Sequence, residues 1–178
     1  MTPKKDLELY LHIPFCRQKC RYCDFLSAPL ATDSSTADGY VPKRYVDALL
    51  SQIVQESQFY QERRVTTIFW GGGTPSLLRV MDMERLMDAI RTHFCVADDA
   101  EITLESNPGT LDFEKLVGYR RAGINRLSMG MQSACDKELV LVAVAAVRAL
   151  PHQLASLILN NLDLAVIATL LTEITLGV

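Results

Sequence analysis

Leu7, Leu9, Leu11 and Ile13 alternate with Glu8, Tyr10 and His12, a period of two that predicts a strand with one buried face, stopped by Pro14. From Pro42 to about Arg63 the positions Tyr45, Ala48, Leu49, Ile53 and Phe59 recur at roughly helical spacing, with Pro42 near the first turn, where its missing donor costs little. Val65–Trp70 is a compact β-branched and aromatic strand. Met83, Leu86, Met87 and Ile90 then predict a helix over Met81–Phe94, its methionines filling core rather than binding a ligand. Ala100–Ser106 reads as a third strand, ended by the turn signal Asn107-Pro108-Gly109-Thr110. A helix from Leu111 to about Arg121 closes at Gly123, and Ile124–Ser133 supplies a fourth strand. Strand, loop and helix repeat, which predicts parallel β/α units wound into a barrel or an open sheet.

The chemistry-bearing residues all fall at one end of these units. Cys16, Cys20 and Cys23 follow the first strand, Gly71-Gly72-Gly73-Thr74 the second, Glu105 ends the third and Gln132 the fourth. In α/β barrels and sheets the C-terminal ends of the strands form the active-site rim. Three successive glycines allow close backbone approach, to a ligand or simply within a tight turn, and match neither a phosphate loop nor a dinucleotide fingerprint.

Composition narrows the thiol chemistry. Five cysteines is an odd number, and Cys95 and Cys135 sit singly, so a disulfide framework is a poor reading. The N-terminus carries no secretory signal pattern, and the expectation is a protein of the reducing cytoplasm. A zinc site completed by His12 is the rival: zinc wants four ligands, usually as two separated pairs, and no second pair follows. Three thiolates in one loop suit a four-iron cluster with one iron open to a small molecule. Arg17, Lys19 and Arg21 would favour thiolates, or are simply solvated charges. Hydrophobic residues at 49% suffice for one domain, and a net charge of −3 gives no nucleic-acid-binding signature. No apolar run of about 18 residues predicts a transmembrane span.

Cys-x3-Cys-x2-Cys after a first strand, with the aromatic Tyr22, resembles the radical S-adenosylmethionine superfamily. Leu9-Tyr10-Leu11-His12-Ile13-Pro14-Phe15-Cys16, Phe69-Trp70-Gly71-Gly72-Gly73-Thr74-Pro75, Leu104-Glu105-Ser106-Asn107-Pro108 and Gly123–Ser133 are similar to its coproporphyrinogen-oxidase-like subgroup, over roughly residues 7–138. The resemblance implies an incomplete (β/α) barrel of about four β/α units. It implies that Cys16, Cys20 and Cys23 hold a four-iron four-sulfur (4Fe-4S) cluster. The amino and carboxylate groups of S-adenosylmethionine would then sit on the fourth iron, with Tyr10, Gly72, Gly73, Thr74, Glu105 and Gln132 around the cofactor. Cleavage would give methionine and a deoxyadenosyl radical. Within the subgroup, the decarboxylating oxygen-independent coproporphyrinogen III oxidase carries a further cysteine two positions after the third. Here that position is Phe25. With Asp24 and Glu105–Thr110 this resembles the heme-chaperone branch, which implies binding of heme or porphyrin and delivery to heme-acceptor proteins. Decarboxylation is the second reading, and a zinc-stabilised interaction module or inactive remnant the third. No histidine stands out as a heme ligand, and no catalytic residue is assigned.

Residues 139–178 stand apart. Arg148, Asp163 and Glu173 are their only charged side chains, and they contain no aromatic residue. The arginine and aspartate that the family carries after Gln132 have no match. Two domains follow as an expectation: a partial radical S-adenosylmethionine domain over 1–138 and an atypical apolar tail over 139–178. Leu139–Leu150 and Leu154–Leu171 are expected as helices around Pro151. A change of reading frame near Ala134–Leu139, or a naturally shortened protein, would account for the break.

Overall fold

A computed structural model describes residues 5–20, 23–30 and 38–130 and the backbone of 165–169. The elements in chain order are β1 (Lys5–Ile13), β2 (Phe15–Cys16), β3 (Ala28–Pro29), α1 (Lys43–Ser57), β4 (Arg63–Gly72), α2 (Val80–His93), β5 (Cys95–Ser106), α3 (Phe113–Ala122), β6 (Arg126–Gly130) and β7 (Ala165–Thr169). Five of the strands form one sheet in the order β1-β4-β5-β6-β7, every pair parallel. The α/β expectation with a parallel sheet is met, and β1, β4, β5 and β6 are the four strands read from the sequence.

The alternation in β1 sets which face is covered. Leu11 and Ile13 are buried, while Tyr10 on the opposite face is 60% exposed. Leu9 and Leu11 share a cavity with Leu49 and Ile53 of α1 and Ile90 of α2, so the helix layer lies over that face. α1 packs on α2 and α2 on α3, a row that follows the strand order. The rung Leu11, Trp70, Leu104 and Leu127 runs across four strands and is buried throughout. Met83, Leu86, Met87 and Ile90 are fully buried beneath it, as core filler. Trp70 is fully enclosed, and its indole N–H has no hydrogen-bond partner among the described residues.

β5 begins at Cys95, five residues before the expected Ala100, and other readings differ with a clear physical reason. α1 ends at Ser57 rather than Arg63, because Phe59 and Tyr60 donate into a turn at Glu56 and Ser57, and Phe59 is 77% exposed instead of joining the apolar face. The fourth strand begins at Arg126, since Gly123 (φ +109°) ends α3 and Asn125 braces Ile102 and Ala100 of β5. Within the segment Leu154–Leu171, expected as a helix, Ala165–Thr169 is instead a strand on β6; its β-branched Val166, Ile167 and Thr169 suit a sheet better than a helix. The rest of the tail expectation lies outside the described residues.

α3 is bounded by two local devices. Asp112 accepts from the Lys115 N–H at 2.8 Å as N-cap, and Gly123 takes the left-handed conformation at the other end. A side chain at Gly123 would be strained and would collide with Arg91, which donates to the Ala122 carbonyl at 2.8 Å. Gly123→Ala is therefore expected to lose about 1–3 kcal/mol in urea unfolding. A stability equal to the parent's would show that the cap is dispensable.

Candidate functional site

The cysteine loop is attached to the end of β1. Phe15–Cys16 pairs with Ala28–Pro29, with Ala28 N–H on Pro14 O at 2.8 Å and Leu30 N–H on Cys16 O at 2.7 Å. Between these ends, Lys19 Nζ donates to Phe25 O at 2.7 Å and Arg17 donates to Gly109 O at 3.3 Å. Two of the three cations read as favouring thiolates thus brace the loop through carbonyls, and the third, Arg21, lies outside the described residues. Phe25 and Leu26, though exposed, sit on a backbone held by Lys19 of the same loop and by His12 of β1.

His12 is the hub of this attachment. Its Nε2 lies 2.8 Å from Leu26 O, which can only accept, so Nε2 carries the hydrogen. In that tautomer Nδ1 accepts the Tyr10 O–H at 3.0 Å. The Tyr10 ring stacks on Phe69 at 6.1 Å. Burial first, and then the Glu105 carboxylate, push the Tyr10 phenol up.

The glycine turn fits against both loop and histidine. A Cβ on Gly72 (φ +112°) would stand 2.6 Å from the His12 ring, and one on Gly73 2.6 Å from the Phe15 carbonyl oxygen. Gly71 leaves room for the Tyr10, Phe69 and Glu105 side chains, each about 3 Å from where its Cβ would be. The N–H groups of this turn are donated internally: Gly72 to Glu105 Oε2 at 3.2 Å, Gly73 to Ile13 O and Thr74 to Phe15 O, both at 2.8 Å. Burial raises the Glu105 carboxyl's affinity for its proton, opposed by the Gly72 N–H.

Thr74 is buried at 2% exposure, and its hydroxyl lies 3.6 Å from Cys16 Sγ. Asn107 Nδ2 donates to that hydroxyl at 3.1 Å from the loop after β5.

The structure thus brings Tyr10, Gly72, Gly73, Thr74, Glu105 and Cys16 onto one rim at the strand C-terminal ends. Gln132 and Tyr22 lie outside the described residues. Cys16, Cys20 and Cys23 are each half-buried and form no disulfide. They share one loop without converging on a common point: among the described residues no three His, Cys, Asp or Glu side chains come together closely enough to hold a metal. His12, the fourth ligand of the zinc alternative, has both ring nitrogens in the contacts above. The donor set, three soft thiols in one loop beside a hydroxyl aimed at the first, fits an iron–sulfur cluster in its chemistry. Sequence reasoning missed His12 as the tie between β1 and the loop, Gly71 as the gap for three side chains, and Asn107 as the partner of Thr74. Only the glycine run hinted at the second; the third depends on register between strands far apart in sequence, and the first on how the cysteine loop folds back onto β1.

Residues 10–169 match the sequence family described as the Radical SAM superfamily. Over 140 residues the chain is 47% identical to the heme chaperone HemW of Escherichia coli (strain K12), covering 78% of this chain and 35% of that protein. Over 132 residues it is 46% identical to the heme chaperone HemW of Synechocystis sp. (strain ATCC 27184 / PCC 6803 / Kazusa), covering 74% and 31%. The solved structure of coproporphyrinogen III oxidase (HemN) from Escherichia coli, described as a radical SAM enzyme, superposes with a TM-score of 0.73 at 32% identity, over 88% of this chain and 34% of that one. The chain spans about a third of the length of the curated relatives it matches. No helix among the described residues is long and apolar enough to cross a membrane.

Proposed function

The chain belongs to the Radical SAM superfamily, a membership that implies a 4Fe-4S cluster and S-adenosylmethionine, and from that premise we propose a heme chaperone-like protein that uses both. Cys16, Cys20 and Cys23 would hold the cluster, which supplies an electron at low potential when bound. The observation that carries the reading is the placement of the Cys16 loop directly against the Gly71–Thr74 turn, which Glu105 holds from its other side at the C-terminal ends of the strands.

The roles of the surrounding residues follow from their donors and acceptors. The N–H groups of Gly72, Gly73 and Thr74 are taken, so the turn and Glu105 offer a ligand acceptors, which suits the ammonium group of S-adenosylmethionine. Tyr10, exposed and held by His12 and Phe69, presents an aromatic face beside them. Gln132 completes the proposed set.

Heme or porphyrin as cargo, with delivery to an acceptor protein, is favoured by the 47% and 46% identities to heme chaperones against 37% over 130 residues to the oxygen-independent coproporphyrinogen III oxidase of Escherichia coli (strain K12), and by Phe25 where the oxidase motif has a cysteine. The oxidase reading rests on the superposition with that enzyme.

Anaerobic reconstitution of the chain with iron and sulfide is expected to give a brown protein with about four irons per chain, to which S-adenosylmethionine binds. A colourless protein with one zinc would overturn the reading. Heme titration should then give saturable binding without decarboxylation of coproporphyrinogen III; decarboxylation without heme binding would select the oxidase.

A further inference from the structure

One chain of hydrogen bonds, running through the loops after β4 and β5, ends on Cys16. The Thr110 hydroxyl donates to the Asn107 carbonyl at 2.7 Å, so in the 2.5 Å pair of Ser76 and Thr110 hydroxyls it is Ser76 that donates. Asn107 Nδ2 donates to Thr74 Oγ1, and the Thr74 hydroxyl, having accepted, donates to Cys16 Sγ at 3.6 Å. A cluster-bound thiolate can only accept, which requires this direction, and the Asn107 amide, a donor to the Thr74 oxygen, leaves the hydroxyl proton pointed at Cys16.

The two loops cannot easily separate. Lys115, 7% exposed, places its ammonium on Ser76 O at 2.5 Å and Thr110 O at 3.2 Å, and Tyr119 donates to Ser76 O and Leu78 O. Lys115 and Tyr119 anchor the loops from the buried side, and the Asn107 amide holds the Thr74 hydroxyl, the terminal donor, in one place.

We propose that Thr74 and Asn107 are positioning residues for Cys16: they fix the orientation of its sulfur and draw electron density from it, raising the reduction potential of the cluster this loop carries. The proposal rests on the cluster reading above. Hydrogen bonds to ligating sulfur raise cluster potentials, and partners behind a ligand commonly change metal affinity about 10-fold or more.

The test is spectroelectrochemical titration and electron paramagnetic resonance of the anaerobically reconstituted full chain. Thr74→Val, which keeps shape and removes the donor, should lower the midpoint potential and shift the reduced-cluster spectrum, or cost about tenfold in iron affinity. Thr74→Ser should restore the parent behaviour, and Asn107→Ala, which leaves the hydroxyl in place, should move the potential the same way by less. A parent-like potential, spectrum and iron content in Thr74→Val would overturn the proposal while leaving the cluster reading intact, as would failure of Thr74→Ser to restore them. A parent chain that takes up no iron would overturn both.

Discussion

Gly73→Ala is expected to lose about 3 kcal/mol of stability and most of the chain's capacity to take up iron. The new methyl carbon would stand 2.6 Å from the Phe15 carbonyl oxygen and 2.9 Å from its carbonyl carbon and nitrogen, all backbone atoms. Relief requires the turn after β4 to withdraw from the cysteine loop, breaking the Gly73 N–H bond to Ile13 O and the Thr74 N–H bond to Phe15 O. Overpacking costs about 1–3 kcal/mol and each lost bond about 1 kcal/mol. Cys16 follows Phe15 directly, so the displacement reaches the proposed cluster ligand and should cut iron per chain about tenfold. Gly109→Ala is the control, since nothing lies within 4 Å of its Cβ position. Urea unfolding and iron analysis of both variants check this; parent-like values for Gly73→Ala would show that the two loops do not depend on each other.

Lys115 makes stability depend on alkaline pH. Burial pulls its ammonium from the ordinary 10.5 down to about 8, with Asp112 opposing and Arg17 adding to the fall. Below pH 8 the group is charged in both folded and unfolded chains. Between pH 8 and 10.5 the folded chain has released a proton that the unfolded chain still holds, so stability rises with pH, by on the order of 3 kcal/mol over the full window. Tyr10, Tyr45 and Tyr119, all raised above 10 by burial, act the other way at the alkaline limit, which confines the rise to roughly pH 8–10. Lys115→Met should flatten the profile, whereas an unchanged slope in urea unfolding across this range would exclude Lys115 as its source.

The rim was legible because strand ends can be read from punctuation. Pro14, Gly71–Gly73, Asn107-Pro108 and Gly123 mark where each unit turns, and Cys16, Gly73 and Glu105 follow from those marks, whereas Tyr10 and Thr74 come from the family resemblance. What stayed hidden depends on distance. Asn107 meets Thr74 and Gly72 meets Glu105 across 33 residues, contacts that only parallel register creates. The end of α1 was misread because Phe59 continues the helical spacing although the chain has already turned. The strand at Ala165–Thr169 was masked by surrounding leucine and alanine, which favour helix.

Trp70 gives the fold an internal optical reporter. It is the chain's one tryptophan, fully enclosed, with its N–H in apolar surroundings, and it immediately precedes the glycine turn. Its fluorescence should therefore peak at short wavelength, shift red on unfolding, and be quenched when a strongly absorbing cluster or porphyrin occupies the rim. Folding and cofactor loading can be followed in the unlabelled chain by the same emission.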